Sequence, residues 1–389
     1  MTRIAVLHHS YGRFGGAERL TLSHYWQLRT MRKDVTLFYG GMLTDEWRLR
    51  LRSHDVRSLP RTSSGIASLT RLARELSDYD SILIHHHIDP FVAFYISRFL
   101  GKKITWYMGS LFELAWERAI TGLDYRSIST TVRSSGSEFY GYPSNILLSD
   151  ALYGATVRLS KVIDCSTVRR CAKLITNSVF LAEQVKQTYG LSTRPDVVYP
   201  GIDPILAGLA DKGGPERPWN FMLYVGALIP MKNVSTIINA AAGQAAEVVL
   251  VGDGQEKQNL KLLASRSNVL ALVLDSGIDE NALGEIYSRC KFLVNLSLYE
   301  PFGLTPIEAG FFGKPSIVTN RGGPAETVVN GRTGFLVNPV ETRTVADRMR
   351  RLLEDDDLRN EMGAQANKRV RGMFTLEKST QSLVTYLEG

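Results

Sequence analysis

Short apolar runs, each followed by a turn and then by an amphipathic stretch, recur along the chain and restart after residue 219. In the first half they occupy residues 4–8, 35–39, 80–85, 104–107, 174–177 and 197–198, and in the second half residues 221–225, 248–251, 292–295 and 315–319. The runs lack the polar alternation of half-exposed strands, so they indicate buried parallel strands. Strands that alternate with helices in both halves predict two parallel α/β sheets.

A length of 389 residues is typical of two domains. We predict an N-terminal domain at residues 1–203, a linker at 204–219, a second domain at 220–374 and a C-terminal helix at 375–389. The linker is predicted because two glycines and two prolines at 213–218 interrupt regular structure. Residues 120–160 are polar and rich in turn formers, which predicts an insertion or a mobile loop.

The composition excludes several classes of protein. No run approaches the roughly 18–20 apolar residues of a membrane span, and the N-terminus lacks the apolar region of a signal peptide. We therefore expect a cytoplasmic protein. The three cysteines have neither CxxC nor zinc-ligand spacing, which indicates reduced thiols.

Positive charge is concentrated in the first half of the chain. Residues 1–200 contain 26 Lys and Arg against 17 Asp and Glu, a net charge of +9, while residues 201–389 contain 20 against 22, a net charge of −2. The first half should therefore meet an anionic partner: a phospholipid surface, a lipid-phosphate acceptor or an acidic glycan. Trp47–Arg52 alternates apolar and basic residues and could rest on lipid headgroups or form a solvated helix. No nucleic-acid-binding motif is present, and we expect no nucleic-acid partner.

Two glutamates eight positions apart, Glu300 and Glu308, flank a Phe-Gly-Leu turn that opens a predicted helix. Backbone N–H groups at a helix N-terminus bind phosphate oxygens, and Gly303 lets the backbone approach a ligand closely. Carboxylates accept hydrogen bonds from vicinal hydroxyls. The segment therefore indicates a sugar-diphosphate site, although a plain helix with a capping glutamate has the same spacing.

Three histidines, residues 85–87, follow the buried strand at 80–85. Ligands of open α/β sheets bind at the carboxyl ends of the strands, so we predict that these side chains face a cleft between the domains. Capping of backbone groups at the strand end is the alternative. Adjacent side chains of an extended chain point to opposite faces, so only His85 and His87 could share a metal ion, and we expect no metal. The acidic run Asp355–Asp357 is interpreted as a solvated helix–loop junction.

A series of motifs in a fixed order resembles glycosyltransferase family 4, a family of retaining enzymes. The resemblance spans about 320 residues, and its motifs are Gly15–Arg19, Ile175–Ser178, Val198–Asp203, Tyr224–Gly226, Lys232–Asn233, Val251–Gly254, Glu300–Glu308, Gly313–Glu326 and Asn330–Phe335.

The resemblance implies the GT-B fold: two Rossmann-like domains with parallel sheets facing a central cleft, and a C-terminal helix that packs back on the N-terminal domain. It also implies which residues bind the donor: Gly15, Gly16, Gly226, Lys232, Gly252, Ile278, Glu300, Phe302, Gly303, Leu304 and Glu308. Glu300 would contact the sugar and Glu308 the ribose. The amides at 302–304 and the Gly15-Gly16 loop would hold the phosphates, and Lys232 would neutralise the leaving diphosphate.

The implied catalytic residues are Glu300, Lys232, and one of the histidines, with His85 the better match and His87 the second. The chain departs from the family pattern at one point. The family usually has Gly-Arg-Leu before the lysine, whereas this chain has Gly226-Ala227-Leu228. The arginine that would bind the diphosphate is missing. Candidates to replace it are Arg13, Arg19 and Arg321.

The implied reaction transfers a hexose from a nucleoside diphosphate to a hydroxyl of a glycan or lipid-linked acceptor, with no tightly bound cofactor. The first half resembles mannosyltransferases of surface-glycan and lipid-linked oligosaccharide synthesis, which favours GDP-mannose as donor. The resemblance is compatible with a cytoplasmic enzyme, peripheral on the inner face of a membrane. The alternatives are a nucleotide-sugar 2-epimerase and an inactive partner subunit of a glycosyltransferase. A dehydrogenase is disfavoured because the N-terminal loop lacks G-x-G-x-x-G.

Overall fold

The computed structural model describes residues 2–9, 15–40, 51, 56–60, 65–86, 88–111, 159, 162–213, 219–275 and 277–388. Within them the chain divides into two compact units. Unit 1 comprises Met1–Tyr199 and Ser379–Gly389, and unit 2 comprises Pro200–Lys378. Several sequence predictions concern residues outside the described ranges: His87, Arg13, nearly all of the basic segment 47–52 and nearly all of the insertion 120–160.

Unit 1 contains a sheet of seven parallel strands in the order β3-β2-β1-β4-β5-β6-β7. The strands are β1 (Arg3–His8), β2 (Asp34–Tyr39), β3 (Val56–Ser58), β4 (Ser81–His85), β5 (Ile104–Met108), β6 (Lys173–Thr176) and β7 (Asp196–Val197). The helices are α1 (Gly16–Thr30), α2 (Gly65–Leu76), α3 (Pro90–Phe99) and α4 (Val179–Tyr189), with a further helical segment at 162–170. The strand order reverses between β1 and β4, as in doubly wound dinucleotide-binding folds.

Unit 2 repeats this topology with six parallel strands in the order β10-β9-β8-β11-β12-β13. The strands are β8 (Phe221–Val225), β9 (Glu247–Val251), β10 (Ala271–Leu274), β11 (Phe292–Asn295), β12 (Ser316–Thr319) and β13 (Gly334–Val337). The helices are α5 (Pro204–Asp211), α6 (Val234–Ala241), α7 (Lys257–Arg266), α8 (Glu280–Arg289), α9 (Leu304–Phe311), α10 (Pro324–Thr327), α11 (Thr342–Glu354) and α12 (Asp356–Met373). Here the order reverses between β8 and β11.

The central strands are buried on both faces, which explains why their sequences do not alternate. The β1 residues Ile4, Ala5, Val6 and Leu7 are all fully buried, with Ala5 and Leu7 in one core cluster and Ile4 and Val6 in another. Helices therefore cover both faces of the sheet, as parallel sheets require. The prediction of an α/β fold with two parallel Rossmann-like sheets is confirmed.

The final helix, α13 (Leu376–Glu388), belongs largely to unit 1. Leu383, Val384 and Leu387 enter the core cluster that β1 and α1 build. Lys33 pairs with Glu388, and Ser81 donates a hydrogen bond to the carbonyl of Leu387. The helix thus contributes both apolar and polar contacts to the fold of unit 1.

The predicted linker at 204–219 is wrong in its first half, where the structure has helix α5. Asp203 caps this helix by accepting a hydrogen bond from the amide of Ile205, and Pro204 occupies its first turn. Both features favour a helix start, and Leu206 anchors the helix because it is fully buried. The glycines and prolines at 213–218 follow the end of this helix and do not interrupt it.

Among the described residues no helix is long and apolar enough to cross a membrane.

Candidate active site

The carboxyl edge of the unit 2 sheet gathers most residues that the sequence assigned to donor binding. In doubly wound sheets ligands bind where the strand order reverses, which here is between β8 and β11, and two neighbouring loops follow these strands. These loops are residues 226–233 after β8 and residues 296–303 after β11. Ile278 follows β10 at the same edge and is half-buried.

The loop after β8 holds Lys232 through its neighbour Asn233. Asn233 adopts a left-handed conformation with φ 52°, which asparagine tolerates better than most residues. Its side-chain nitrogen Nδ2 donates hydrogen bonds to the carbonyls of Leu296, at 3.3 Å, and Pro339, at 2.7 Å. The two residues of the Lys-Asn motif therefore have different roles. Asn233 anchors the loop by hydrogen bonds, and Lys232 presents an ammonium group.

Lys232 Nζ lies 2.5 Å from Glu300 Oε2. The two side chains are 22% and 17% exposed, so the pair is reachable by a ligand while most of its water has been removed. An ion pair in such a setting is stronger than one on an open surface. The structure thus brings together the two residues of unit 2 that the sequence named as catalytic.

Helix α9 begins at this pair. Gly303 is its N-cap, with φ 84° and ψ 90°, and Leu304 is its first residue. The Phe302 side chain is buried against Phe374, with ring centroids 5.8 Å apart, so only its backbone could serve a ligand. The N-terminus of α9 is a suitable place for phosphate oxygens, because the first N–H groups of a helix have no partner within that helix.

Gly322 and Gly323 were not assigned a role from the sequence, and the structure gives them one. Gly323 donates its amide hydrogen to the carbonyl of Glu300 at 2.9 Å. A Cβ atom on Gly322 would lie 2.6 Å from that carbonyl oxygen, and one on Gly323 would lie 2.2 Å from the Phe302 Cα. Only glycines allow this approach, so the pair fixes the backbone that carries Glu300. The Gly-Gly-Pro sequence at a helix start was the available signal.

Gly226 and Gly252 serve a similar purpose at the ends of β8 and β9. The Gly226 amide donates to the carbonyl of Val251 at 2.9 Å, and a Cβ atom on Gly252 would lie 1.9 Å from the Gly226 carbonyl oxygen. The two loops therefore leave the sheet in direct backbone contact. Ala227, where the family has arginine, is exposed, and its carbonyl accepts a hydrogen bond from the Tyr224 hydroxyl at 2.8 Å.

Glu308 is only 3% exposed. Its Oε2 atom accepts a hydrogen bond of 2.6 Å from the hydroxyl of Tyr287 on α8, a partner that sequence reasoning missed. Because a buried carboxylate needs hydrogen-bond donors, Tyr287 holds Glu308 in a defined position. The ribose contact of Glu308 stays a prediction, to which the structure adds this support.

In unit 1, Gly15 and Gly16 form the start of α1. Glu18 accepts a hydrogen bond of 2.9 Å from the Gly15 amide and so completes a capping interaction. Burial alone would raise the pKa of Glu18, but its hydrogen bond and its attraction to His8, together with backbone N–H groups, lower that pKa overall. The loop is therefore held by an ionised carboxylate.

His85 ends β4, as predicted, but its ring is fully buried instead of facing an open edge. Nδ1 lies 2.8 Å from Thr21 Oγ1, and Nε2 lies 2.8 Å from His24 Nδ1. Burial, together with the neighbouring imidazoles of His86, His24 and His8, lowers the pKa of His85 well below its ordinary value. Both ring nitrogens are thus occupied within unit 1. The predicted exposure of His85 is corrected, and a direct contact with the sugar would require the ring to be uncovered.

Within the described part of the chain, no group of three or more His, Cys, Asp or Glu side chains is arranged to hold a metal ion.

Two family models together cover most of the chain. The model described as Glycosyltransferase Family 4 matches residues 14–205, and the model described as Glycosyl transferases group 1 matches residues 211–369. Their boundary falls near the division between the two units.

The chain is also similar to individual curated proteins. An uncharacterized glycosyltransferase of Methanocaldococcus jannaschii is 27% identical over 206 residues, which cover 53% of this chain and 56% of that protein. The alpha-1,3/1,6-mannosyltransferase ALG2 of Dictyostelium discoideum is 34% identical over 111 residues, which cover 28% of this chain and 26% of that protein. The chain thus spans about half or less of the length of these relatives.

Among solved structures, Anabaena HepE in complex with UDP and glucose superimposes with a TM-score of 0.75 at 18% sequence identity, over 100% of both chains. At this identity the likeness establishes the fold.

Proposed function

This chain belongs to the family 4 glycosyltransferases of the GT-B fold, and from that premise we propose that it transfers a hexose from a nucleoside diphosphate to an acceptor hydroxyl. The Lys232–Glu300 pair beside the N-terminus of α9 carries this proposal. The amides at 302–304 would bind the diphosphate and Lys232 would stabilise the charge that grows as the sugar–oxygen bond breaks. Glu300 would then accept hydrogen bonds from the sugar hydroxyls.

We propose that the reaction retains the configuration at the anomeric carbon, as in the family. The bond from that carbon to the diphosphate oxygen breaks, and a bond to the acceptor oxygen forms on the same face. The acceptor's hydroxyl proton passes to the leaving phosphate. The protein contributes positioning and charge stabilisation, so no covalent enzyme intermediate is required.

The charge balance of the proposed donor site leaves one cation to meet a diphosphate. Six segments follow the six strands of unit 2, and together they contain six Asp and Glu but only three cations, Lys232, Lys257 and Arg321, a net charge of −3. The segments are residues 226–233, 252–257, 275–279, 296–303, 320–323 and 338–341. Lys232 is paired with Glu300, and Lys257 with Asp253 and Asp275. Of the three cations counted, this leaves only Arg321 without a carboxylate partner among the described residues, so it is the one that could offset the charge of a diphosphate at this edge.

Arg321 is the cation that we propose for this task. It is exposed, and no ion pair of its side chain occurs within the described residues. It directly precedes Gly322 and Gly323, whose backbone packs on that of Glu300 and Phe302. Arginine binds phosphate with two parallel hydrogen bonds. Arg321 would therefore replace the arginine that the family has at Ala227.

The donor and acceptor remain proposals at a finer level. The name of the Dictyostelium relative and the resemblance of the first half favour a mannose donor, while the Anabaena neighbour binds UDP and glucose. The net charge of +9 on residues 1–200 favours a lipid-phosphate or acidic glycan acceptor. The same charge supports a location on the inner face of a membrane.

Calorimetric binding tests the donor site. GDP-mannose, UDP-glucose and UDP-N-acetylglucosamine are titrated into the wild type and the variants Lys232→Ala and Glu308→Ala, with the exposed Lys261→Ala on α7 as control. We expect one nucleotide sugar to bind at micromolar Kd, both site variants to lose about tenfold or more in affinity, and the control to bind normally. A folded wild type that binds none of the three would overturn the proposal.

The exposed Ala227 also favours a second candidate, an inactive partner subunit. That protein would not turn over sugar nucleotide with any acceptor, and restoring arginine at position 227 would not create activity. A 2-epimerase, in contrast, would convert its sugar nucleotide in the absence of any acceptor.

A further inference from the structure

A line of buried polar side chains runs through unit 1 from the final helix α13 to the first turn of α1. Each neighbouring pair is 2.8 Å apart: Ser379 Oγ and His24 Nε2, His24 Nδ1 and His85 Nε2, His85 Nδ1 and Thr21 Oγ1, and Thr21 Oγ1 and the carbonyl oxygen of Ala17. His24, His85 and Thr21 are fully buried, and Ser379 is 4% exposed. The line connects residues 355 positions apart in sequence.

The direction of every hydrogen bond in this line follows from its last member. The carbonyl of Ala17 can only accept, so Thr21 donates its single hydroxyl proton there and must accept a hydrogen bond from His85 Nδ1–H. A neutral His85 then has no proton on Nε2 and accepts from His24 Nδ1. A neutral His24 in turn accepts at Nε2 from the hydroxyl of Ser379. Four hydrogen bonds therefore point the same way, from α13 to α1.

The surroundings keep both imidazoles neutral. Burial lowers the pKa of His24 to about 3, and burial with the three nearby imidazoles lowers that of His85 well below its ordinary value. The rings that face His85 are those of Tyr107, with centroids 4.9 Å apart, and His86, at 4.8 Å. No carboxylate is recorded in contact with His24 or His85 among the described residues, so nothing offsets the cost of charging them.

A second connection reaches the same turn of α1. His8 Nδ1 donates to the carbonyl of His85 at 2.8 Å, and His8 Nε2 lies 3.9 Å from Glu18 Oε1. Glu18 in turn accepts from the amide of Gly15. The final carbonyl of the buried line, that of Ala17, is two residues from Gly15. Both connections thus end at the backbone that forms the Gly15-Gly16 loop.

We propose that Ser379, His24, His85 and Thr21 form a one-way hydrogen-bond chain through which the final helix positions the first turn of α1. These are positioning residues: they act on the Gly15-Gly16 loop through the Ala17 carbonyl and do not touch the donor. The consequence for donor binding rests on the proposed function, in which that loop meets the donor phosphates. The existence of the hydrogen-bond chain is independent of the proposed function.

Histidine tautomers give the first test, because they do not depend on activity. In protein labelled with ¹⁵N-histidine, we expect His24 and His85 both to carry the proton on Nδ1 and to keep it there between pH 6 and pH 8. Ser379→Ala identifies His24, whose Nε2 loses its donor. If either ring carries its proton on Nε2 in the wild type, or if either ring titrates within this pH range, the proposed hydrogen-bond chain is wrong.

Hydrogen exchange gives the second test. We expect the amides at 15–19 to exchange about tenfold faster in Ser379→Ala and Thr21→Val, which is the effect of one net hydrogen bond. Thr21→Ser keeps the hydroxyl and should exchange like the wild type. The control is Ser382→Ala, an exposed serine on the same helix. Unchanged exchange in both hydroxyl-deleted variants would show that the final helix does not position this turn.

The effect on the donor separates this proposal from the proposed function. If the wild type binds a nucleotide sugar, Ser379→Ala and Thr21→Val should raise the KM for the donor severalfold more than they lower kcat, with recovery in Thr21→Ser. Equal KM values would overturn the link to the donor. If the wild type binds no nucleotide sugar, the proposed function fails, and the tautomer and exchange results still decide the positioning role.

Discussion

At the residue scale, Ala227 marks the clearest difference between this chain and the pattern of its family. With alanine there, the carboxyl edge of unit 2 has a net charge of −3 even when Arg321 is counted, and its lysines are engaged in ion pairs. A diphosphate would meet this edge at an electrostatic disadvantage. Arg321 is the cation that we propose takes over the role of the missing arginine, and it lies one residue before the glycines that pack on Glu300.

Exchanging these two positions tests that compensation. Arg321→Ala should weaken binding of the nucleoside diphosphate about 10- to 100-fold, because hydrogen bonds to charged groups contribute about 1.5–3 kcal/mol. Adding Ala227→Arg to Arg321→Ala should restore most of the loss. Calorimetry with the nucleoside diphosphate and the free nucleoside measures both effects, and only the diphosphate should respond.

The matched control is Arg266→Ala, an exposed arginine in the last turn of α7, at the other end of a helix that starts at the carboxyl edge. Equal losses in Arg266→Ala and Arg321→Ala would indicate a general effect of net charge. A double variant no better than Arg321→Ala alone would argue that position 227 no longer faces the phosphates.

Tyr287 gives a second residue-scale prediction. Its hydroxyl donates to the buried Glu308 carboxylate at 2.6 Å, and Tyr287→Phe removes that donor while keeping the ring. We expect nucleotide affinity to fall about 5- to 10-fold, because a displaced carboxylate would meet the ribose less well. Tyr386→Phe in α13 is the control. Normal affinity in Tyr287→Phe would restrict Tyr287 to a packing role.

At the element scale, α12 holds the two short helices on which the proposed donor site depends. Asn367 donates to the carbonyls of Gly310 and Phe311 at the end of α9. Arg369 donates to the carbonyls of Glu326 and Thr327 at the end of α10, at 2.8 and 3.0 Å. Helix ends carry unpaired carbonyls and partial negative charge. One long helix thus adds side-chain donors to the carboxyl ends of both short helices.

Removing the Arg369 cap should destabilise unit 2. Arg369→Gln should lower the free energy of unfolding by about 1–2 kcal/mol, because carbonyls are left without their charged donor. Lys368→Gln, one residue earlier on α12, changes an exposed side chain and should cost about 0.5 kcal/mol or less. Urea titrations of both variants make the comparison. An equal, small loss in both would mean that water replaces the Arg369 donors.

The strands of both sheets were largely predictable from the sequence, because parallel strands buried on two faces leave uninterrupted apolar runs. The three missed strands are short or half-exposed: β3 has three residues, and β10 and β13 have four each. Three of the four β10 residues are half-buried and one is exposed, so its burial pattern gave little apolar signal. Edge strands depend on a neighbour for their pairing, and a local pattern does not reveal the neighbour.

The candidate site was predictable only where it rests on loops with strong local motifs. The Lys232–Asn233 and Glu300–Glu308 segments could be placed because strand ends converge at one sheet edge. The partners Tyr287 and Ser379 could not, because they reach Glu308 and His24 from helices that no motif connects to them. The burial of His85 was missed for the same reason: Thr21 and His24 of α1 occupy its ring nitrogens, and no motif connects them to His85.

At the scale of the whole molecule, the two units differ in how they respond to acid. All seven histidines of the chain lie between residues 8 and 87, and the sequence of unit 2 contains none. In an unfolded chain histidine takes up a proton near pH 6.5, whereas burial lowers the pKa of His24 to about 3 and that of His85 well below its ordinary value. Below pH 6.5 the unfolded state of unit 1 therefore binds more protons than the folded state.

The sign of the effect follows directly. The stability that neutral His24 and His85 allow is fully present above pH 6.5 and declines as the pH falls toward their folded-state pKa values. For His24 alone the loss at pH 5.5 is about 1.4 kcal/mol. Asp164 opposes this, because burial raises its pKa to about 6 and it gains its proton more readily in the folded state. Two imidazoles outweigh one carboxyl, so unit 1 should lose stability while unit 2 stays nearly constant.

Urea unfolding followed by proteolysis and mass spectrometry measures each unit through its own peptides, at pH 7.5 and pH 5.5. We expect the midpoint of unit 1 peptides to fall at the lower pH and that of unit 2 peptides to change little. His24→Gln, which has no titrating ring at this position, should be less stable at pH 7.5 and should show a flatter dependence on pH. If the midpoints of both units fall in parallel in the wild type, the units unfold as one cooperative body. If the midpoint of unit 1 does not change, its buried imidazoles take up protons without unfolding.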